Sequence, residues 1–142
     1  MSTRVDASCH CGNIRATFQS EAEPAPRECQ CSFCRAHASV TVADPQGNLV
    51  ILVADERKLS RYRFGTLRLA DMLVCRECGV YVAAVMESSG KAFGILNLRA
   101  AAGTPLLSRT PLPVDYDAET GDQRRARRER VWTPTTLRVG QP

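Results

Sequence analysis

Seven cysteines fall in three groups: Cys9 and Cys11, then Cys29, Cys31 and Cys34, then Cys75 and Cys78. The local spacings are C-x-C, C-x-C-x-x-C and C-x-x-C-G, and no cysteine lies outside them. Thiolate sulfur is a preferred ligand of zinc, which takes four protein ligands in a closed structural site and three in a site that keeps one position free for chemistry. The two-three-two grouping therefore predicts one closed site built from the two outer pairs and one open site at the triplet. Seven thiols cannot all pair within one chain, and such tight spacings suit metal binding better than a disulfide framework. The competing reading is a redox or disulfide triplet without metal.

An open triplet implies a reaction of thiols. Three thiolates on Zn²⁺ leave one net negative charge, and an incoming thiol that completed the tetrahedron would be deprotonated there. A thiolate formed in this way is a nucleophile. His37, three residues after Cys34, has the pKa range of a proton carrier and could also be a fourth ligand, against the plainer reading of a half-exposed turn histidine. His10 is expected to point away from the metal. Ser32 has no His–Asp pattern to activate it and reads as a turn residue. Arg35 and Arg76 flank the clusters, where either a fork to a substrate carboxylate or simple compensation of thiolate charge would suit a guanidinium. The run at 124–130, with five arginines, resembles a surface for nucleic acid or an acidic partner. Five acidic residues between 115 and 129 favour instead a solvated, internally paired segment.

These residues need elements to position them. Residues 13–19 alternate apolar and polar, with Ile14, Ala16 and Phe18 on one face of a half-buried strand. Extended backbone at Cys9 and Cys11 would turn both sulfurs to one side, and Gly12 suits a left-handed turn after them. Residues 20–28 read as an extended connector, 35–39 as a short helical turn, and 40–43 and 49–53 as the arms of a hairpin around Asp44-Pro45-Gln46-Gly47-Asn48. Strands are predicted at 60–64 and 67–74, leading into Cys75-Arg76-Glu77-Cys78-Gly79, and at 80–86 and 92–98 around a turn at 88–91. From residue 100 the chain is expected to be an irregular extension packed on the rest, with a short solvated helix or loop at 122–130, Val131-Trp132 docking back and 140–142 frayed.

The chain has 142 residues, a size that suits one domain with a true core. Its formal charge of +4 falls close to +1 once seven thiolates and two Zn²⁺ are counted, which argues against a nucleic-acid partner. Residues 1–8 are polar and no stretch approaches the ~20 apolar residues of a membrane span. Metal-bound thiolates imply a reducing compartment, so a cytoplasmic protein is expected.

The motifs Cys9-His10-Cys11-Gly12, Cys29-Gln30-Cys31-Ser32-Phe33-Cys34-Arg35 and Cys75-Arg76-Glu77-Cys78-Gly79 resemble those of the glutathione-dependent formaldehyde-activating enzyme family, which includes proteins similar to centromere protein V. The resemblance spans about residues 7–98. It implies a mainly β fold, a small zinc-stapled domain of packed antiparallel sheets. It also implies a structural zinc on Cys9, Cys11, Cys75 and Cys78, and a second, more labile zinc at an active site of Cys29, Cys31 and Cys34. The expected activity is that of a zinc-dependent carbon–sulfur lyase joining glutathione or another small thiol to formaldehyde. The alternatives are a zinc-stapled binding module acting through the arginine-rich segment, and a thiol redox or zinc sensor.

Overall fold

The computed structural model describes residues 2–140, so the fraying expected at the C-terminus falls, for Gln141 and Pro142, outside the described residues. In chain order the elements are β1 (Thr3–Ser8), β2 (Ile14–Ser20), β3 (Arg27–Cys29), α1 (Ser32–Ala36), β4 (Thr41–Val42), β5 (Asn48–Val53), β6 (Leu59–Tyr62), β7 (Asp71–Cys75), β8 (Tyr81–Ser88), β9 (Lys91–Asn97), β10 (Leu112–Val114), α2 (Gly121–Val131) and β11 (Thr133–Val139). The fold is mainly β, as expected. Most ladders are antiparallel, but β11 runs parallel to β5 and β10 parallel to β3.

Period-2 burial builds the first sheet. Ile14, Ala16 and Phe18 of β2 turn inward and sit opposite Val53, Ile51 and Leu49 of β5, while Val5 and Ala7 of β1 face Phe18 and Ala16 from the other side. The second sheet runs from β6 through β7 and β8 to β9, and then through β4 and β3 to β10. Its centre is β8, where every residue from Tyr81 to Met86 is buried. Val82, Ala83 and Val85 belong to the main core between the sheets, whereas Tyr81, Ala84 and Met86 join a second cluster with Met72 and Trp132. A strand covered on both faces loses the alternation of a half-exposed one, which is why it reads as a continuous apolar run. The turn between β8 and β9 places both Ser89 (φ 52°) and Gly90 (φ 76°) in the left-handed region, as a tight two-residue hairpin requires.

Several expectations need correction. The arms around 44–48 do not pair with each other: β4 bonds β3 and β9 while β5 bonds β2 and β11, so this turn carries the chain between sheets. The connector at 20–28 ends in β3, the helical turn begins at Ser32 rather than Arg35, and β7 starts only at Asp71. The polar N-terminal stretch is β1, an edge strand that needs only Val5 and Ala7 inside. The largest difference is at the C-terminus. Instead of an irregular extension, the chain forms α2 and then β11, whose first residues Thr133 and Pro134 pair with Gly94 and Phe93 of β9 and whose remainder pairs with β5. One strand thus joins both sheets. Among the described residues no helix is long and apolar enough to cross a membrane.

Candidate functional site

Two turns carry the outer cysteine pairs. After β1 the chain doubles back, with the Cys9 N–H donating to the Ile14 carbonyl at 2.9 Å and the Gly12 N–H to the Cys9 carbonyl at 3.1 Å. The segment is a turn rather than extended backbone, and Gly12 at φ +87° closes it. At the end of β7 the Gly79 N–H (φ +81°) donates to the Cys75 carbonyl at 2.9 Å, and the Cys75 N–H to that of Val80 at 3.0 Å. Both turns therefore aim sulfurs at the same point. Cys9 and Cys11 Sγ atoms lie 3.8 Å apart, Cys11 and Cys75 3.5 Å apart, and all four sulfurs, with Cys78, fall within 4.8 Å of one another. Four sulfurs at about 2.3 Å from one zinc stand about 3.8 Å from each other, whereas a disulfide needs about 2.0 Å. The donor set fits a tetrahedral zinc.

The electrostatics of this cluster are uneven. Burial pushes the Cys75 thiol up to about 11 and raises Cys9. At Cys78 the same desolvation is outweighed by the N–H groups of Cys11 and Val80 and by the neighbouring thiols, which hold it at about 6. The Ile14 N–H also donates to Cys9 Sγ at 3.2 Å. Backbone N–H groups aimed at sulfur favour the thiolate form that binds metal.

The triplet is built differently, from contiguous chain. Cys29 ends β3, Cys31 is the N-cap of α1, and Cys34 lies within that helix, buried. The Cys31 sulfur takes the capping role usually filled by a hydroxyl, accepting from the Cys34 N–H at 3.4 Å. The three sulfurs fall within 4.8 Å of one another and form a group of cysteines alone. Hydrogen bonds from Cys29 and Cys34 hold the Cys31 thiol far below the ordinary range. The Cys34 thiol is driven far up, first by Cys29 and then by Cys31. Only one thiol ionises readily when three share so small a volume without a cation.

All three cysteines line a cleft of about 610 Å³. Helix α2 also borders it, and its start is fixed by a capping box in which Gln123 N–H donates to Thr120 Oγ1 at 3.1 Å and Thr120 N–H to Gln123 Oε1 at 2.9 Å. Arg124, Arg127 and Arg128, spaced to share one helical face, all border the cleft. Glu119 receives Arg127 in a fork at 2.8 and 3.0 Å and Arg124 at 3.5 Å, and Arg127 also stacks over the Tyr116 ring at 3.4 Å. Arg127 in the first place holds the Glu119 carboxyl below its usual value. Two of the run's five arginines are therefore paired, both with Glu119, and Arg124, Arg127 and Arg128 border the cysteine cleft rather than forming a purely solvated surface.

Two polar atoms of residues lining the cleft are shielded from solvent and have no hydrogen-bond partner among the described residues: Tyr81 Oη and Arg128 Nε. Burial, with the three nearby thiols second, pushes the Tyr81 hydroxyl well up, so it remains an O–H donor at neutral pH. Burial and then Arg127 and Arg124 lower Arg128 to about 10, which leaves it a cation. From the sequence Val131-Trp132 is expected to dock back onto the body, and neither Tyr81 nor Tyr116 stands out as a site residue. Trp132 is indeed buried, yet with both tyrosines it lines the cleft. The sequence signal that marked this wall was the i, i+3, i+4 spacing of the arginines behind Thr120-x-x-Gln123.

The other candidates separate clearly. His37 packs on Phe33 with ring centroids 4.5 Å apart, inside an aromatic group with Tyr62, Phe64 and Tyr81, and is not part of the sulfur group. Arg35 borders the cleft; Arg76 does not, its guanidinium donating to the Arg57 carbonyl at 3.4 Å. His10 and Ser32 are exposed.

Fold and clusters together define a β-rich domain that holds two sets of thiols at metal-binding distance, one gathered from distant turns and one opening into a cleft. The chain belongs to the glutathione-dependent formaldehyde-activating enzyme family, whose model matches residues 4–104. It is similar, at 27% identity and a TM-score of 0.53, to the crystal structure of a Rhodobacter sphaeroides protein, the match covering 76% of this chain and 97% of that one. No curated protein matches it.

Proposed function

We propose that the protein joins a small thiol, such as glutathione, to formaldehyde, and by reversal cleaves the carbon–sulfur bond of the adduct. The observation that carries this reading is the gathering of three thiols within 4.8 Å at one side of a cleft that also holds unpartnered donors. Cys9, Cys11, Cys75 and Cys78 would hold a structural zinc, and Cys29, Cys31 and Cys34 a second one. Bound there, the second ion would supply an open position that accepts the substrate thiol and lowers its pKa.

The chain's own residues do the rest. The thiol sulfur attacks the aldehyde carbon, a carbon–sulfur bond forms, the carbonyl becomes a single C–O bond, and the proton lost from sulfur ends on that oxygen. The Tyr81 O–H, kept neutral by its surroundings, is the donor for the oxygen as negative charge develops on it. Phe64, Met72, Ile95 and Trp132 make part of the cleft apolar, which strengthens such a hydrogen bond by excluding water. The wall of arginines offsets the negative charge that thiolates bring.

The test is the rate of adduct formation from formaldehyde and glutathione with the zinc-loaded protein, against the spontaneous rate. An excess rate that disappears in Cys31→Ser is expected. No excess over background with any of several thiols and aldehydes would remove the enzymatic reading.

A further inference from the structure

We infer that α2 provides an anion subsite in this cleft, and that the thiol substrate carries a carboxylate held side-on by Arg128. The inference rests on the thiol reading of the triplet and adds the class of thiol. Three observations carry it. Arg124 and Arg127 are engaged by Glu119, whereas no carboxylate lies within ion-pair distance of Arg128 among the described residues. The Arg128 guanidinium carbon lies over the Trp132 ring, 4.5 Å from its centroid, a cation–π contact that restrains the side chain. Its Nε is withdrawn from water and has no hydrogen-bond partner among the described residues.

A guanidinium offers its Nε–H and one Nη–H as a parallel pair that matches the two oxygens of a carboxylate. The contact with Trp132 uses the guanidinium's π-facing side and leaves the Nε–H without a partner among the described residues. The wider charge balance agrees: Arg27, Arg35, Arg124, Arg127 and Arg128 border the cleft against Asp117 and Glu119, a surplus of three positive charges. A three-thiolate zinc site would cancel only one of them. The subsite is also a property of this chain rather than of the matched segment, since the family match ends at residue 104 and α2 begins at Gly121.

Trp132 is the single tryptophan and reports on its neighbour directly. The zinc-loaded full chain is titrated with 3-mercaptopropionate and 3-mercaptopropionamide, and with their S-methyl thioethers, following Trp132 fluorescence. The acid of each pair is expected to bind about 10- to 100-fold more tightly than the amide, the range of one charge-assisted hydrogen-bonded pair. In Arg128→Met, which keeps an apolar stem on Trp132, and in Arg128→Lys, which keeps the charge without the fork, that preference should shrink to about threefold or less while amide affinity is unchanged. Equal binding of acid and amide by the wild type, or a preference that survives in both variants, overturns the subsite. The thioethers separate the two claims. An Arg128-dependent preference among thioethers, with no catalysis of any thiol, supports the subsite and defeats the enzymatic reading; catalysis without any preference does the reverse.

Discussion

Replacing Cys75 by serine should cost far more stability than replacing Cys31, and the difference follows from where the ligands lie along the chain. A metal stabilises a fold by the excess of its affinity for the folded chain over the unfolded one. Cys11 and Cys75 are 64 residues apart, so an unfolded chain that offered the same four sulfurs would have to close that loop. The chain-entropy relation used for cross-links puts this closure at about 4 kcal/mol at 25 °C. Cys29 and Cys34 are separated by only five positions, for which the same relation gives about 2 kcal/mol. Cys31→Ser also keeps an oxygen able to cap α1, so the local helix loses little. Cys75, by contrast, is buried, and a serine hydroxyl there adds the cost of a polar group in the core. Domains of this kind are stable by about 5–15 kcal/mol, so a loss near 4 removes about a quarter or more of the total. Urea unfolding followed by circular dichroism, at saturating zinc, measures both variants. A strong chelator should bring the wild type down towards Cys75→Ser. Equal losses in the two variants, or a wild type indifferent to chelation, would refute the assignment of the outer pairs as the staple.

Tyr81→Phe removes a buried hydroxyl with no partner, so it should leave thermal stability unchanged or raise it by about 1 kcal/mol while lowering kcat about 10- to 100-fold; a stable variant with full kcat would take Tyr81 out of the reaction. Glu119→Gln should destabilise the protein by about 1–3 kcal/mol, because two arginines lose their shared carboxylate. The folded state lowers the Glu119 pKa, so this contribution is fully present above the unfolded value of 4.5 and is lost as pH falls through the folded value. Denaturant melts should therefore show the two proteins converging in acid, and a gap that widened instead would contradict the pairing. Gly94→Ala would place a methyl 2.7 Å from Thr135 Oγ1 and 3.0 Å from the Ala84 carbonyl. A loss of about 1–3 kcal/mol is expected, and an unchanged melting temperature would show that β9 and β11 are not so closely apposed.

The cysteine clusters were legible because metal ligation depends on residue type and local spacing, and both are written in the chain. The same holds for β2, whose alternation of Ile14, Ala16 and Phe18 needs no knowledge of its partners. What stayed hidden depends on partners. β11 reads Thr-Pro-Thr-Thr-Leu-Arg-Val, half exposed and interrupted by Pro134, a residue that normally speaks against a strand with neighbours on both sides. Its position between β5 and β9 is possible because Pro134 sits where the strand changes partner, beside Phe93, rather than in an unbroken ladder. The inner face of α2 escaped for a related reason. Apolar periodicity finds helices that bury carbon, and this one turns guanidinium groups inward, stacked on Tyr116 and Trp132 and tied to Glu119.

The segment beyond the family match is thus neither appendage nor linker. β11 supplies the ladder that joins the two sheets, and α2, held by the turn of chain just before it, supplies a cationic wall of the cleft that the triplet lines. Removing the segment would strip a partner from β5 and from β9 at once and would unfold the body before it reported on the cleft. The role of the wall has to be read from single side chains instead. Arg128 is the discriminating one: Arg124 and Arg127 hold the helix to Glu119, so their loss mixes stability with binding, whereas Arg128 has no carboxylate to lose. A substitution there that changes ligand preference and leaves the unfolding midpoint in place separates the function of the wall from its role in the fold.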